Sequence, residues 1–145
     1  SIQMSKDSSS QEGLSEWIGH LVLEGKVADS LYTRFSDVCR GTVIEAHQGS
    51  DLVGVCVWRQ DEGFAFLGPV AVHPEKRSWG LGSTLVGQAI EDIRSEGVRS
   101  IESVFPRGDK ASKRLFKQHR FRILGDEQVG TGPTWTRIER HLKKS

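Results

Sequence analysis

A short glycine-containing segment lies between a run of apolar residues and a long amphipathic stripe. Its residues are Arg77, Ser78, Trp79, Gly80, Leu81, Gly82 and Ser83. Glycine allows close backbone approach and positive φ angles, and the first amides of a helix are unpaired donors that attract anions. Arg77 can add a charge-assisted hydrogen bond to an anionic oxygen. The spacing therefore predicts an anion site, although tight strand-to-helix connections also need glycine for packing alone.

Two nucleotide-binding motifs can be tested directly against this segment. Gly80-Leu81-Gly82 lacks the third glycine of G-x-G-x-x-G, since Leu85 stands at that position. Gly82 to Gly87 has the glycine spacing of a P-loop but is followed by Gln88, not by lysine. A nucleotide-binding module is disfavoured.

The elements that would position the segment follow from hydrophobic periodicity, which is three to four residues in helices and two in strands. The predicted helices cover residues 14–22, 27–38, 81–93 and 111–119, and the predicted strands cover residues 43–47, 52–58, 64–72, 99–105, 121–124 and 134–139. Gly68 and Pro69 interrupt the third strand. This order predicts an α/β (α+β) fold with a mixed sheet flanked by helices.

Length and charge limit the class of protein. The 145 residues suit one domain over residues 1–145, and the opening Ser1, with Met4 inside, suggests that about the first ten residues are disordered or partly non-native. A net charge of +1 gives no general attraction for nucleic acid or an anionic membrane, and no apolar run is long enough to span a bilayer. Cys39 and Cys56 fit no metal-ligand spacing, so we expect no metal site and a cytoplasmic location.

A longer match extends the glycine segment on its amino-terminal side. The run Val70-Ala71-Val72-His73-Pro74-Glu75-Lys76-Arg77-Ser78-Trp79-Gly80-Leu81-Gly82 resembles the signature of the GNAT superfamily of acyl-CoA N-acyltransferases, V-x-V-x-P-x-x-R-x-x-G-x-G. The resemblance implies a mostly antiparallel sheet whose fourth and fifth strands splay apart. It also implies acetyl-CoA as the acyl donor.

The resemblance gives each part of the segment a task. Val70, Ala71 and Val72 would pair their backbone with the pantetheine arm of the coenzyme. The amides of residues 77–83 would hold the pyrophosphate, and backbone donors near Val72 would polarise the thioester carbonyl.

A second, weaker match lies around the predicted short helix. Asp109 stands where the family has asparagine, Phe116 where it often has a tyrosine acid, and Arg120 where it has glycine. The resemblance places Asp109 and Phe116 at the coenzyme. Phe116 cannot donate a proton, so the usual acid is missing.

The proton acceptor must be sought among other side chains. A glutamate that some family members carry on the fourth strand would fall near Phe66, which is apolar. Glu102, on the strand predicted over residues 99–105, which would correspond to the family's fifth strand beside the gap, and His73, with a suitable pKa range, are the catalytic candidates. Glu45 and His47 are weaker alternatives, since both also suit the surface of a hairpin.

These observations predict an N-acetyltransferase that moves an acetyl group from acetyl-CoA to a primary amine of an unidentified acceptor. The expected partners are acetyl-CoA and this amine, with a homodimer left open. The competing hypothesis is a non-catalytic acyl-CoA-binding or protein-interaction domain, because the usual acid and base are absent. The first two helices and the final hairpin would select the acceptor.

Overall fold

The computed structural model describes residues 2–6, 41–128 and 130–143. The helices predicted over residues 14–22 and 27–38 lie outside this part of the chain. The described strands are β1 (Ile2–Lys6), β2 (Thr42–Gln48), β3 (Asp51–Asp61), β4 (Phe64–Val72), β5 (Ser100–Pro106), β6 (Arg122–Gln128) and β7 (Thr134–His141). The described helices are α1 (Leu81–Ser95), α2 (Lys110–Gln118) and a 3₁₀ helix over Pro74–Trp79. None of these described helices is long and apolar enough to cross a membrane.

The described strands form one sheet in the order β1-β2-β3-β4-β5-β7-β6. Neighbours are antiparallel except β4 and β5, which are parallel. The predicted mixed, mostly antiparallel sheet is confirmed. Ile2–Lys6 form β1, which the sequence pattern did not predict and which pairs with β2 from Ile2↔Gln48 to Lys6↔Ile44.

Strand β4 changes register against β3 at its glycine and proline. Trp58 pairs with Leu67, but Cys56 pairs with Val70, so two residues of β4 oppose one residue of β3. Gly68 at this bulge has a φ of +143°, a conformation that favours glycine. The bulge redirects the end of β4 at the position where Gly68 and Pro69 interrupt the apolar run.

Helix α1 is fixed against the sheet by a regular apolar stripe. Leu85, Ala89 and Ile93 are fully buried at spacings of four residues. Gly54 of β3 allows the close approach, because a Cβ there would lie 2.9 Å from Leu85 Cδ1. The packing sets the position of the amino-terminal end of α1 beside β4.

Candidate active site

The sheet opens between β4 and β5. Among the described residues these strands pair only at Ala65↔Ile101 and Phe66↔Glu102. Immediately beyond, the buried Ser103 hydroxyl donates a hydrogen bond of 2.5 Å to the Leu67 carbonyl. This bond closes the vertex of a V-shaped gap and confirms the predicted splaying of the fourth and fifth strands.

A cavity of about 500 Å³, the main cavity, occupies this gap. Sequence-predicted residues among those that line it are Val70, Ala71, Val72, Gly80, Gly82, Ser83, Asp109 and Phe116. The structure therefore brings β4, the start of α1 and the start of α2 around one space. Ser112, Arg114 and Gln118 add polar groups from α2 to its wall.

The amino-terminal end of α1 presents backbone donors to the main cavity. Gly80 adopts the left-handed conformation, with φ +73° and ψ +13°, and no side-chain hydrogen bond caps this end among the described residues. The first amide bonded back into the helix is that of Thr84, at 3.1 Å from the Gly80 carbonyl. Preceding first-turn amides have no intrahelical acceptor, and the positive end of the helix dipole adds to their attraction for an anion.

Other predicted coenzyme residues contribute in different ways. Leu81 is 5% exposed and its side chain packs in the core, so its part in the site rests on its amide. Arg77, Ser78 and Trp79 end the 3₁₀ helix that leads into Gly80. Their coenzyme contacts stay predictions.

His73 lies at the other end of that 3₁₀ helix. Its Nδ1 accepts a hydrogen bond of 3.2 Å from the Glu75 amide, so the imidazole caps the turn. His73 is not among the described residues that line the main cavity. The geometry supports a structural part for this side chain better than a catalytic one.

The start of α2 shows how the degenerate motif is accommodated. Asp109 accepts hydrogen bonds from the Ser112 amide at 3.1 Å and the Ser112 hydroxyl at 2.8 Å. Phe116 is 5% exposed and stacks on Phe105 with ring centroids 6.2 Å apart, while Phe121 meets it edge-on at 5.2 Å. The family's acid position is therefore part of an aromatic cluster.

A second cavity of about 290 Å³, the side cavity, meets the main cavity at the vertex. Four residues line both cavities: Phe66, Ser103, Val104 and Trp135. The other described residues that line the side cavity are Glu102, Glu127, Arg137 and Ile138. Ile101 and Phe105 pack in the core with α1, so alternation places Glu102 on the opposite face of the sheet. Glu102 thus faces the gap from the side opposite α1.

Sequence reasoning missed a polar contact at the start of α1. The Ser83 hydroxyl and His119 Nε2 lie 3.0 Å apart, across 36 residues of sequence. Burial lowers the pKa of His119, the contact with Ser83 opposes this, and Arg140 lowers it further. Only the packing of α2 against α1 brings the two side chains together, so no local pattern signals the pair.

Glu45 and His47 form a separate pair on β2. The Glu45 carboxylate is fully buried and lies 2.7 Å from His47 Nε2. Neither is among the described residues that line the two cavities. In the described part of the chain, no group of three His, Cys, Asp or Glu side chains is placed to hold a metal ion.

Comparisons with known proteins agree with this geometry. The structure is similar to the IAA acetyltransferase from Bacillus cereus, with 19% identity, a TM-score of 0.78 and coverage of 98% of this chain and 100% of that one. It is also similar to a Bacillus subtilis acetyltransferase in complex with CoA, with 19% identity, a TM-score of 0.76 and coverage of 99% of this chain and 100% of that one. A third similar structure is the ribosomal-protein-S18-alanine N-acetyltransferase from Escherichia coli, with 15% identity, a TM-score of 0.74 and coverage of 99% of this chain and 96% of that one.

At the level of sequence, a search of curated proteins finds no match. The family described as "Acetyltransferase (GNAT) family" matches residues 13–121, which include β4, α1, β5 and α2. The chain belongs to the GNAT family of acetyltransferases.

Proposed function

We propose that this protein transfers an acetyl group from acetyl-CoA directly to a primary amine. The observation that carries the proposal is the gap between β4 and β5, which joins an anion-attracting helix end on one face to a carboxylate on the other. Direct transfer needs both substrates held at one point, with a group that takes the amine's proton. The two cavities meet at the vertex where these requirements coincide.

The coenzyme would lie in the main cavity. Its pyrophosphate fits the amides at the start of α1, because these donors and the helix dipole favour negative charge. Its pantetheine arm would run along β4 from Val72 toward Gly68, where the strand has left β5. The thioester would then reach the vertex beside Ser103.

Glu102 is the group that we assign to proton transfer. An acceptor in the side cavity would present its ammonium to this carboxylate, which takes one proton directly or through water. The freed nitrogen forms a bond to the thioester carbon, and the carbon–sulfur bond then breaks. The nitrogen loses a second proton and the departing thiolate gains one, so the products are an amide, the free thiol of CoA and one proton released to solvent.

Phe116 does not take part in these proton movements. Its ring has no acidic hydrogen and lies between Phe105 and Phe121. The thiolate would therefore be protonated by the reacting nitrogen or by water. Thiolates are good leaving groups near neutral pH, so this reaction does not require a dedicated acid.

A cytosolic setting is part of the proposal. Cys56 is a free, fully buried thiol, and burial raises its pKa. Such a cysteine acts as a small apolar residue and needs no oxidising compartment.

Two measurements test the proposed reaction. Acetyl-CoA should raise the melting temperature and bind in calorimetry, because a ligand that binds only the folded state stabilises it. Free thiol should then appear only when acetyl-CoA and an amine are both present. Failure of acetyl-CoA to bind at millimolar concentration would contradict the coenzyme assignment.

The second candidate function is acyl-CoA binding without catalysis. The aromatic cluster at Phe116 favours it, since the family's acid position has become a packing position. Coenzyme binding without thiol release across a broad panel of amines and peptides supports this alternative. Turnover with any member of the panel rejects it.

A further inference from the structure

The charges in the side cavity differ in whether they have partners. Arg137 Nε lies 3.6 Å from Glu127 Oε2, with these side chains 46% and 58% exposed. Glu102 forms no ion pair or hydrogen bond through its side chain with any described residue. Two carboxylates against one guanidinium leave a net charge of −1 on the described lining, and the unpaired charge is at the vertex.

The uncharged walls of the side cavity are largely apolar and aromatic. Phe66, Trp135, Val104 and Ile138 line it together with the charged groups. Aromatic rings pack well against a flat or aliphatic body, and their faces attract cations. The Arg59 guanidinium, 4.8 Å from the Phe66 ring centre, shows that this ring already accepts a cation in the folded protein.

We infer that the acceptor is a compact amine with an apolar body and no carboxylate, in the class of arylalkylamines and alkyl diamines. This inference rests on the proposed acetyl transfer and names the substrate class of the same site. The ammonium pairs with Glu102 at the vertex, and the apolar body lies between Phe66 and Trp135. A volume of about 290 Å³ suits a small metabolite, since pockets for drug-sized ligands range from about 300 to 1,000 Å³.

A carboxylate on the acceptor would find no free cation among the described lining residues, whereas an ammonium group would find Glu102. The one guanidinium among the described lining residues is already paired with Glu127, and the remaining charges are negative. Like charges brought together at a binding site oppose association. The site should therefore reject an amino acid while accepting the amine that lacks its carboxylate.

Matched pairs of acceptors test this selectivity. Tyramine against tyrosine, phenethylamine against phenylalanine and cadaverine against lysine differ only in the carboxylate. We expect kcat/KM at least about tenfold higher for the amine in each pair, measured by thiol release. Equal values, or higher values for the amino acids, would overturn the inference even though acetyl transfer occurs.

The Glu127→Gln variant tests the charge argument separately. It releases Arg137 to bind a carboxylate, so kcat/KM should rise for tyrosine and fall for tyramine. A purely structural role would lower both values together. Glu96→Gln, an exposed change at the end of α1, is the matched control and should alter neither.

Binding separates this inference from the proposed reaction. Calorimetry on the protein saturated with CoA should show tighter binding of tyramine than of tyrosine, whether or not transfer follows. Amine binding without thiol release from acetyl-CoA would reject the reaction and retain the selectivity. Thiol release with amino acids or peptides alone would retain the reaction and reject the selectivity.

Discussion

The segment from β4 into α1 and the segment from β5 into α2 use different parts of the chain to build one site. The first contributes backbone: a bulged strand and the amides at the start of a helix. The second contributes side chains, with Glu102 at the gap and Phe116 in an aromatic cluster. Backbone function needs only glycines and the correct local fold, whereas proton transfer needs a particular atom at a particular point.

This difference explains where the family pattern persists. The glycines of the first segment are retained, and Gly80 has a positive φ of 73° that a side chain would strain. In the second segment Asp109, Phe116 and Arg120 all depart from the family pattern. The chain therefore keeps the family pattern in the first segment and departs from it in the second.

The largest effect should come from replacing the carboxylate at the vertex. Glu102→Gln keeps the size of the side chain but removes the proton acceptor, so kcat should fall by about 100-fold or more. Calorimetric affinity for acetyl-CoA should stay the same, because the main cavity is unchanged. Glu62→Gln, in the exposed turn between β3 and β4, is the matched control. Unchanged kcat in Glu102→Gln would show that this segment supplies no base.

A change at the start of α1 should weaken coenzyme binding, the property that Glu102→Gln leaves unchanged. Gly82→Val puts a branched side chain into the main cavity, where even a Cβ would already lie 3.6 Å from Leu115 Cδ2. We expect the Kd for acetyl-CoA to rise about tenfold, equivalent to about 1.4 kcal/mol, with little change in melting temperature. Thr84→Ser, on the exposed side of the same turn, keeps the hydroxyl that donates to the Gly80 carbonyl at 3.1 Å and should leave Kd unchanged. Equal affinities for wild type and Gly82→Val would place the coenzyme elsewhere.

Restoring a family residue in the second segment should improve stability. Arg120 has a φ of +65°, which costs an L-residue about 1–2 kcal/mol relative to glycine. Arg120→Gly should raise the free energy of unfolding by about 0.5–1 kcal/mol after the greater freedom of glycine in the unfolded chain is included. Lys117→Gly inside α2 should lower the free energy of unfolding by a similar amount. Urea unfolding of both variants measures whether the two changes have opposite signs.

The smallest effect should be on the pH dependence of stability, through His119, whose contact with Ser83 links the two segments. Burial lowers the pKa of His119 in the folded protein. As pH falls through about 6.5, the unfolded chain therefore binds more protons than the folded protein does. Stability should therefore be full above this pH and decline below it, toward the folded pKa. His119→Gln should lose less melting temperature between pH 7.5 and 5.5 than the wild type does. An equal loss would assign the pH dependence to other groups.

Several elements could be predicted from local pattern because local forces determine them. The stripe from Leu81 to Ile93 predicted α1 to within two residues at its end, and alternation predicted the β2–β3 hairpin. Strand β1 was missed because Ile2–Lys6 is short and mostly polar. Its place depends on pairing with β2, more than 35 residues away along the chain.

By itself, the sequence predicted the mixed sheet, its resemblance to the GNAT family implied the splayed strands, and the anion site at the start of α1 stays a prediction. The order of helices and strands followed from periodicity, which acts over a few residues. Only the tertiary structure showed that Ser103 closes the vertex on Leu67 and that Ser83 meets His119. It also showed that Arg137 pairs with Glu127 while Glu102 has no side-chain partner among the described residues. Such contacts join separate strands and helices, so packing of the whole sheet decides them.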